Sequence, residues 1–215
     1  MTRYLPIMLD CEGQHCVVIG GGVVAERKVN GLLEAGAVVK VVSPSLTDAL
    51  NALAEQGLVT WIDRIYAPGD LRGAFLAYAA TNDRTVNDEV AQQCRRLGIH
   101  VNVASHAEVG SFITPGVVRR GRLTVAVSTS GAGPLAAAKI KNVLEEALDA
   151  AYEPYLDFVH VMRTRIKEQE CSAEIRGRLL RKLGALDVLD EIRNGSFISW
   201  SAEEMDAWIA EQRGD

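Results

Sequence analysis

Residues 16–42 read CVVIGGGVVAERKVNGLLEAGAVVKVV, and the order of residue types in this stretch decides the fold. Residues 16–20 (CVVIG) are a short β-branched run that suits a buried strand. The run ends in a glycine cluster, after which Val29, Leu32 and Leu33 recur at helical spacing between residues 24 and 35. Gly36 is placed to close that helix, and residues 37–42 form a second apolar strand stopped by Ser43 and Pro44. The pattern continues outward with a helix over 45–56 and strands over 59–62 and 74–80 (AFLAYAA). A helix over 85–97 follows, capped by Gly98, and then a strand over 99–103. Strands alternating with helices predict an α/β fold, a doubly wound parallel sheet that binds its ligand at the carboxyl ends of the strands.

From residue 111 the texture changes. Phe112, Ile113, Val117 and Val118 lead to a basic turn, and residues 123–127 form a strand that runs into SerThrSerGlyAlaGlyPro. Pro134 suits the first position of a helix reaching about residue 148. Beyond residue 150 the chain is helical and heavily charged.

The chain has 215 residues, 48% of them hydrophobic, enough for one sizeable core and a smaller appendage. A formal charge of −5 argues against a surface built to hold nucleic acid, which needs clustered Lys and Arg. Residues 1–10 lack the apolar stretch and cleavage site of a signal peptide, and no run approaches a membrane span, so the expected location is the cytoplasm. Cys11, Cys16, Cys94 and Cys171 have no paired metal-site spacing and read as reduced thiols, with no metal expected.

Gly20-x-Gly22-x-x-Ala25 stands where a dinucleotide fingerprint belongs. Glycines allow a tight turn and close approach of a pyrophosphate, which then meets the free N–H groups of a helix start. The second strand ends in Ser43, where an NAD enzyme usually places an acid for the ribose, yet no nearby Arg marks a 2′-phosphate. NAD is therefore favoured over NADP. Thr81, Asn82 and Asp83 follow the strand AFLAYAA and fit both a cofactor crevice and a helix N-cap.

No Asp or Glu lies between Glu108 and Glu145, whereas Arg119, Arg120, Arg122, Lys139 and Lys141 all do. This segregation reads either as a local positive field for a carboxylate-rich ligand or as a solvated basic hairpin. The loop 128–133 adds hydroxyls and glycine N–H groups ahead of a helix start.

Four stretches together resemble the precorrin-2 dehydrogenase module of siroheme synthases. They are VVIGGGVVAERK (17–28), AATNDRTVN (79–87), HVNVASHAEVGSFITPGVV (100–118) and VAVSTSGAGP (125–134). The resemblance covers roughly residues 4–150 in unbroken order. It implies a Rossmann-like fold with an NAD-binding domain over 1–110, a dimerisation and substrate-binding segment over 111–150 and a helical domain over 151–215. It further implies NAD-dependent oxidation of precorrin-2 to sirohydrochlorin by a homodimer, with iron insertion as a second activity in some members.

Carried over by residue, Gly20, Gly21, Gly22, Val23 and Val24 would wrap the cofactor pyrophosphate, with Ser43, Pro44 and Ser45 beside the adenosine ribose. Thr81, Asn82, Asn102 and Val103 would lie on the nicotinamide side. The tetrapyrrole would meet Ser111, Phe112, Pro115, Arg119, Arg120, Ser128, Thr129, Ser130 and Gly131. Where the family commonly shows an Asp two positions after the Asn-Val pair, this chain has Ser105, followed by His106. Serine is too weak a base to take the proton released with the hydride, so Ser105 is expected to orient and His106 to accept.

A nucleotide-sensing module of the potassium-transporter gating type also carries GxGxxA and a similar Thr-Asn strand end. In that reading, SFITPGVV and STSGAGP would have no purpose. A short-chain dehydrogenase fits less well, because no Tyr is followed four residues later by Lys.

Overall fold

The computed structural model describes residues 4–106 and 108–214. The chain divides into two compact units, Met1–Thr114 and Pro115–Asp215. In the first, β1 (His15–Ile19), β2 (Val38–Val42), β3 (Val59–Ile62), β4 (Leu76–Ala79) and β5 (His100–Val103) form one parallel sheet in the order β3-β2-β1-β4-β5. Val17 of β1 stands opposite Lys40 of β2 and Ala77 of β4. The order reverses at β1 and β4, the switch point beside which ligands of such sheets bind.

The period-two alternation of side chains supplies both faces of the sheet. Cys16 and Val18 of β1, Val39 and Val41 of β2 and Tyr78 of β4 pack with Ala25, Val29 and Leu32 of α1 (Val23–Glu34) and Leu50 of α2 (Asp48–Glu55). On the other face, Val17, Ile19, Ala77, Ala79, Val101 and Val103 meet Val90, Ala91 and Cys94 of α3 (Arg84–Leu97). Burial in these two cores pushes the Cys16 and Cys94 thiols up to about 11. Cys11 is buried as well, whereas Cys171 is exposed.

Between β3 and β4 the described residues form turns rather than a helix. Asp70 holds this crossover together. Its carboxylate accepts two bonds from the Arg64 guanidinium, at 2.8 and 2.6 Å, and one from the Ala67 N–H at 2.8 Å. These bonds, led by those from Arg64, keep the Asp70 carboxyl below its ordinary pKa.

In the second unit, β6 (Gly116–Arg120) and β7 (Leu123–Val127) pair as an antiparallel hairpin, followed by α4 (Pro134–Ala147). Helices α5 (Tyr152–Gln169), α6 (Ala173–Gly184), α7 (Val188–Asn194) and α8 (Ala202–Arg213) close around Phe158, Met162, Ile166, Leu179, Leu183 and Ile209. A capping box of Ser201 and Glu204 starts α8. By contrast, α4 buries none of its residues, and Leu135 is 86% exposed. Among the described residues no helix is long and apolar enough to cross a membrane.

Candidate nucleotide and proton-transfer site

The glycine turn joins β1 to α1 at the carboxyl edge of the sheet. Gly20 has φ 118°, and a β-carbon there would run into the Ala80 carbonyl at the end of β4. A β-carbon on Gly21 would collide with the Ser45 carbonyl and lie 2.8 Å from Ser43 Oγ. Gly22 differs from both. Its backbone is extended (φ −86°, ψ −177°), it occupies the N-cap of α1 without a side-chain bond, and a β-carbon there would meet nothing within 4 Å. Val23 and Val24 follow on the exposed side of the first turn. The first two glycines thus bring the backbone segments together, and the third leaves room in front of a helix whose first N–H groups point outward. That room and that dipole suit a diphosphate.

The loop leaving β2 abuts this turn. Ser43 is 6% exposed, and its hydroxyl donates to Ser45 O at 2.7 Å while its carbonyl accepts from Trp61 Nε1 at 2.9 Å. Its side chain is therefore committed within the loop, and Pro44 and Ser45 form the exposed part. Thr47 ties the loop to α1, its N–H donating to Gly21 O at 2.9 Å and its hydroxyl to Glu26 Oε2 at 2.7 Å.

A hydrogen-bonded chain runs across the ends of β4 and β5. Asn87 is completely buried on α3, in phase with Val90, Ala91 and Cys94. Its Oδ1 accepts from Thr81 N at 3.1 Å and Thr81 Oγ1 at 2.8 Å, and its Nδ2 donates to Thr81 O at 3.0 Å and Ser105 Oγ at 3.2 Å. Ser105 Oγ in turn lies 2.8 Å from His106 Nδ1. Asn87 escaped the sequence reading. The signal was an amide at a core position of the helical stripe, because a buried amide needs partners. Asp83 caps α3 through bonds to Thr85 N and Val86 N, and Asn82 is exposed.

Other candidates serve the fold at these positions. Asn102 is buried and donates to Phe112 O at 3.0 Å, and Val103 is a core residue. Ser111 pairs with β5, its N–H donating to Val101 O and its Oγ accepting from Val101 N, both at 2.8 Å. Phe112 meets Tyr78 edge-on with ring centroids 5.4 Å apart, on the face that holds α1. On that face the Lys28 ammonium lies 5.4 Å from the Tyr78 ring centre, and burial lowers its pKa.

Within the second unit, Pro115 precedes β6 and Arg119 is exposed on it. Arg120 donates to Leu148 O and Glu145 O, satisfying carbonyls at the end of α4. Arg122 pairs with Asp157 at 2.8 Å and Lys141 with Glu145 at 3.1 Å. The window without acids in the sequence is thus partly neutralised by acids at its edge and beyond it. The loop 128–133 carries Ser130 in a left-handed conformation (φ 49°) between Ser128, Thr129 and Gly131, leading into α4. A cavity of about 370 Å³, lined by His15, Lys40, Thr60 and Arg72, lies at the opposite, amino end of the sheet. Among the described residues no three His, Cys, Asp or Glu side chains gather as metal ligands.

Two family models match the chain. Residues 7–116 match one described as putative NAD(P)-binding, and residues 120–147 match one described as sirohaem biosynthesis protein central. The chain belongs to the precorrin-2 dehydrogenase and siroheme synthase N-terminal module family. Its family relatives include the siroheme synthase of Chromobacterium violaceum, 36% identical over 94% of this chain and 43% of the relative. Another is that of Nitrosococcus oceani, 38% identical over 78% of this chain and 36% of the relative. The chain spans less than half the length of these curated relatives. A solved structure of the family, titled SirC, precorrin-2 dehydrogenase, superposes with a TM-score of 0.75 at 28% identity, covering 99% of this chain and all of that one. The match over 120–147 also gives STSGAGP a family context that a nucleotide sensor would lack.

Proposed function

We propose that this chain oxidises precorrin-2 to sirohydrochlorin with NAD in siroheme biosynthesis, as a cytoplasmic homodimer. The observation that carries the reading is the open helix start at Gly22 on the same sheet edge as the Thr81–Asn87–Ser105–His106 chain. Bound NAD supplies a hydride acceptor. Gly20, Gly21 and Gly22, with the first turn of α1 at Val23 and Val24, hold the pyrophosphate. Pro44 and Ser45 border the ribose, with Ser43 bracing them from behind, and Thr81, Asn82, Asn102 and Val103 shape the wall on the nicotinamide side. Oxidation removes a hydride and a proton from the substrate. His106 takes the proton, with Ser105 oriented against its ring.

Three regions divide the work: 1–110 binds the dinucleotide, 111–150 serves dimerisation and substrate, and 151–215 is a helical support. In the first unit, Ser111 and Phe112 shape the surface facing the tetrapyrrole. In the second, Arg119, Ser128, Thr129, Ser130 and the Gly131 N–H provide polar groups suited to a polycarboxylate, with Pro115 and Arg120 shaping their border and Arg119 the more exposed of the two arginines. Purified chain mixed with NAD and enzymatically prepared precorrin-2 is expected to give sirohydrochlorin absorbance and NADH in equal amounts. Nucleotide binding without turnover would refute the assignment.

The dimer reading rests on α4. Ile140 and Val143 are 46% and 58% exposed, and a helix with no buried residue has too little to hold it on its own. A second copy covers such a face by two-fold pairing. Sedimentation is expected to give twice the 23.3 kDa monomer mass, and Val143→Glu should shift the population to monomer. A monomeric parent chain at working concentration would contradict this.

A further inference from the structure

We propose that Asn87 is a positioning residue that turns the Ser105 hydroxyl proton onto His106, and so fixes which imidazole nitrogen is left to receive a proton. The inference rests on the reading of His106 as proton acceptor. It begins with the amide itself, whose orientation its partners leave no freedom to reverse. The Thr81 N–H can only donate, so the atom facing it at 3.1 Å is oxygen, and Nδ2 faces Thr81 O and Ser105 Oγ. All four hydrogen-bonding positions of Asn87 are then used, on a completely buried side chain where an unmatched polar atom is costly.

The consequence passes to Ser105. Its oxygen receives a hydrogen from Asn87 at 3.2 Å, which orients its own O–H away from the amide. The neighbour in that direction is His106 Nδ1 at 2.8 Å. With the hydroxyl donating to Nδ1, the hydrogens that Thr81, Asn87 and Ser105 contribute each have an acceptor within the chain, and the neutral imidazole carries its proton on Nε2. A proton leaving the substrate then enters through Ser105. The serine oxygen gains it as the serine hydrogen passes to Nδ1, leaving an unchanged hydroxyl and an imidazolium, while the hydride goes to NAD. A serine that is itself too weak a base can act here because the histidine behind it takes the charge.

Thr81 stands at the other end of the same amide. Its N–H, hydroxyl and carbonyl all contact Asn87, so the exit of β4 and the exit of β5 are referenced to one side chain. α3 is therefore the element that sets the pair, although it carries neither Ser105 nor His106.

Asn87→Asp tests the idea with nearly the same shape. A charged aspartate has no hydrogen for Thr81 O or Ser105, a neutral one has none left for Ser105 once Thr81 O is satisfied, and in either form its oxygens attract the serine hydroxyl instead. His106 must then donate from Nδ1. Long-range ¹H–¹⁵N spectra of the histidines in the substrate-free chain are expected to show Nε2–H for neutral His106 in the parent and a switch to Nδ1–H in Asn87→Asp. Turnover with precorrin-2 should fall by about 10-fold or more with little change in KM. In a Ser105→Ala background, Asn87→Asp should cost nothing further, because the shared path is already cut.

An Nδ1–H tautomer in the parent, the same tautomer in both folded proteins, or additive losses in the cycle would each overturn the proposal. Should Asn87→Asp fail to fold, Ser105→Ala alone decides, since it removes the hydroxyl that Nδ1 accepts from. An Nδ1 resonance unmoved in that variant overturns the assignment. The tautomer is read without substrate, so a chain inactive on precorrin-2 would defeat the functional reading and leave this one measurable.

Discussion

Replacing Gly22 with Asp is expected to abolish NAD binding in a chain that melts no lower than the parent. The two effects separate because of where this glycine sits. Its φ and ψ suit any residue, and its β-carbon would enter open space, so the backbone has no reason to move. Aspartate is among the favoured N-cap residues and complements the helix dipole, which stabilises α1 by roughly 0.3–1 kcal/mol. In the proposed binding mode the same carboxylate stands where the pyrophosphate lies. Two like charges about 4 Å apart repel by about 4 kcal/mol at the effective dielectric of a protein surface. At 1.4 kcal/mol per tenfold, that corresponds to a loss of affinity of roughly 10²- to 10³-fold. Calorimetric titration with NAD beside a thermal melt checks both halves. Affinity within a few-fold of the parent in a folded variant would remove the pyrophosphate from this turn. Gly21→Ala makes a useful contrast, because there the added methyl meets the Ser45 carbonyl and the fold itself should suffer.

The second large effect belongs to His106. Truncation to alanine leaves Ser105 hydrogen-bonded to Asn87 but without a group to pass a proton to. Turnover is expected to drop by roughly 10²-fold or more, the scale of a lost general base. NAD affinity should stay within about two-fold, since the change falls in the transition state and not in cofactor binding. Near-normal turnover would mean that catalysis proceeds by orientation alone, the proton leaving to water.

The sheet was legible because its strands are marked by β-branched runs and its helices by apolar spacing, both of which survive in one dimension. The strand expected over residues 123–127 is the observed β7, and Pro134 opens α4 as its fixed φ suggests. The glycine turn was legible as a motif, but its division of labour was not. Which glycine meets a carbonyl and which faces open space depends on Ala80 and Ser45, far away in sequence.

Side-chain direction was the other hidden quantity. Ser43, Asn102 and Ser111 are polar residues at strand ends or beside them, and nothing in their order tells that one turns back on its own loop, one holds Phe112 and one pairs with Val101. The charge window was real in sequence, yet Asp157 from α5 reaches Arg122. Asn87 is the instructive omission. A helical stripe of Asn87, Val90, Ala91 and Cys94 announces burial, but only the partners in space give the amide its meaning.

The inward-turned hydroxyl of Ser43 bears on anyone wishing to re-engineer this chain for a phosphorylated dinucleotide. The habitual first step in such redesign is to exchange the residue at the tip of the second strand. Here that residue is a keystone, bonded to Ser45 O and held by Trp61, with Gly21 pressed against the same carbonyl. A bulky or charged replacement would displace the loop into the glycine turn and lose both coenzymes together. Pro44 and Ser45, which face outward, are the positions at which a library for altered coenzyme choice should begin.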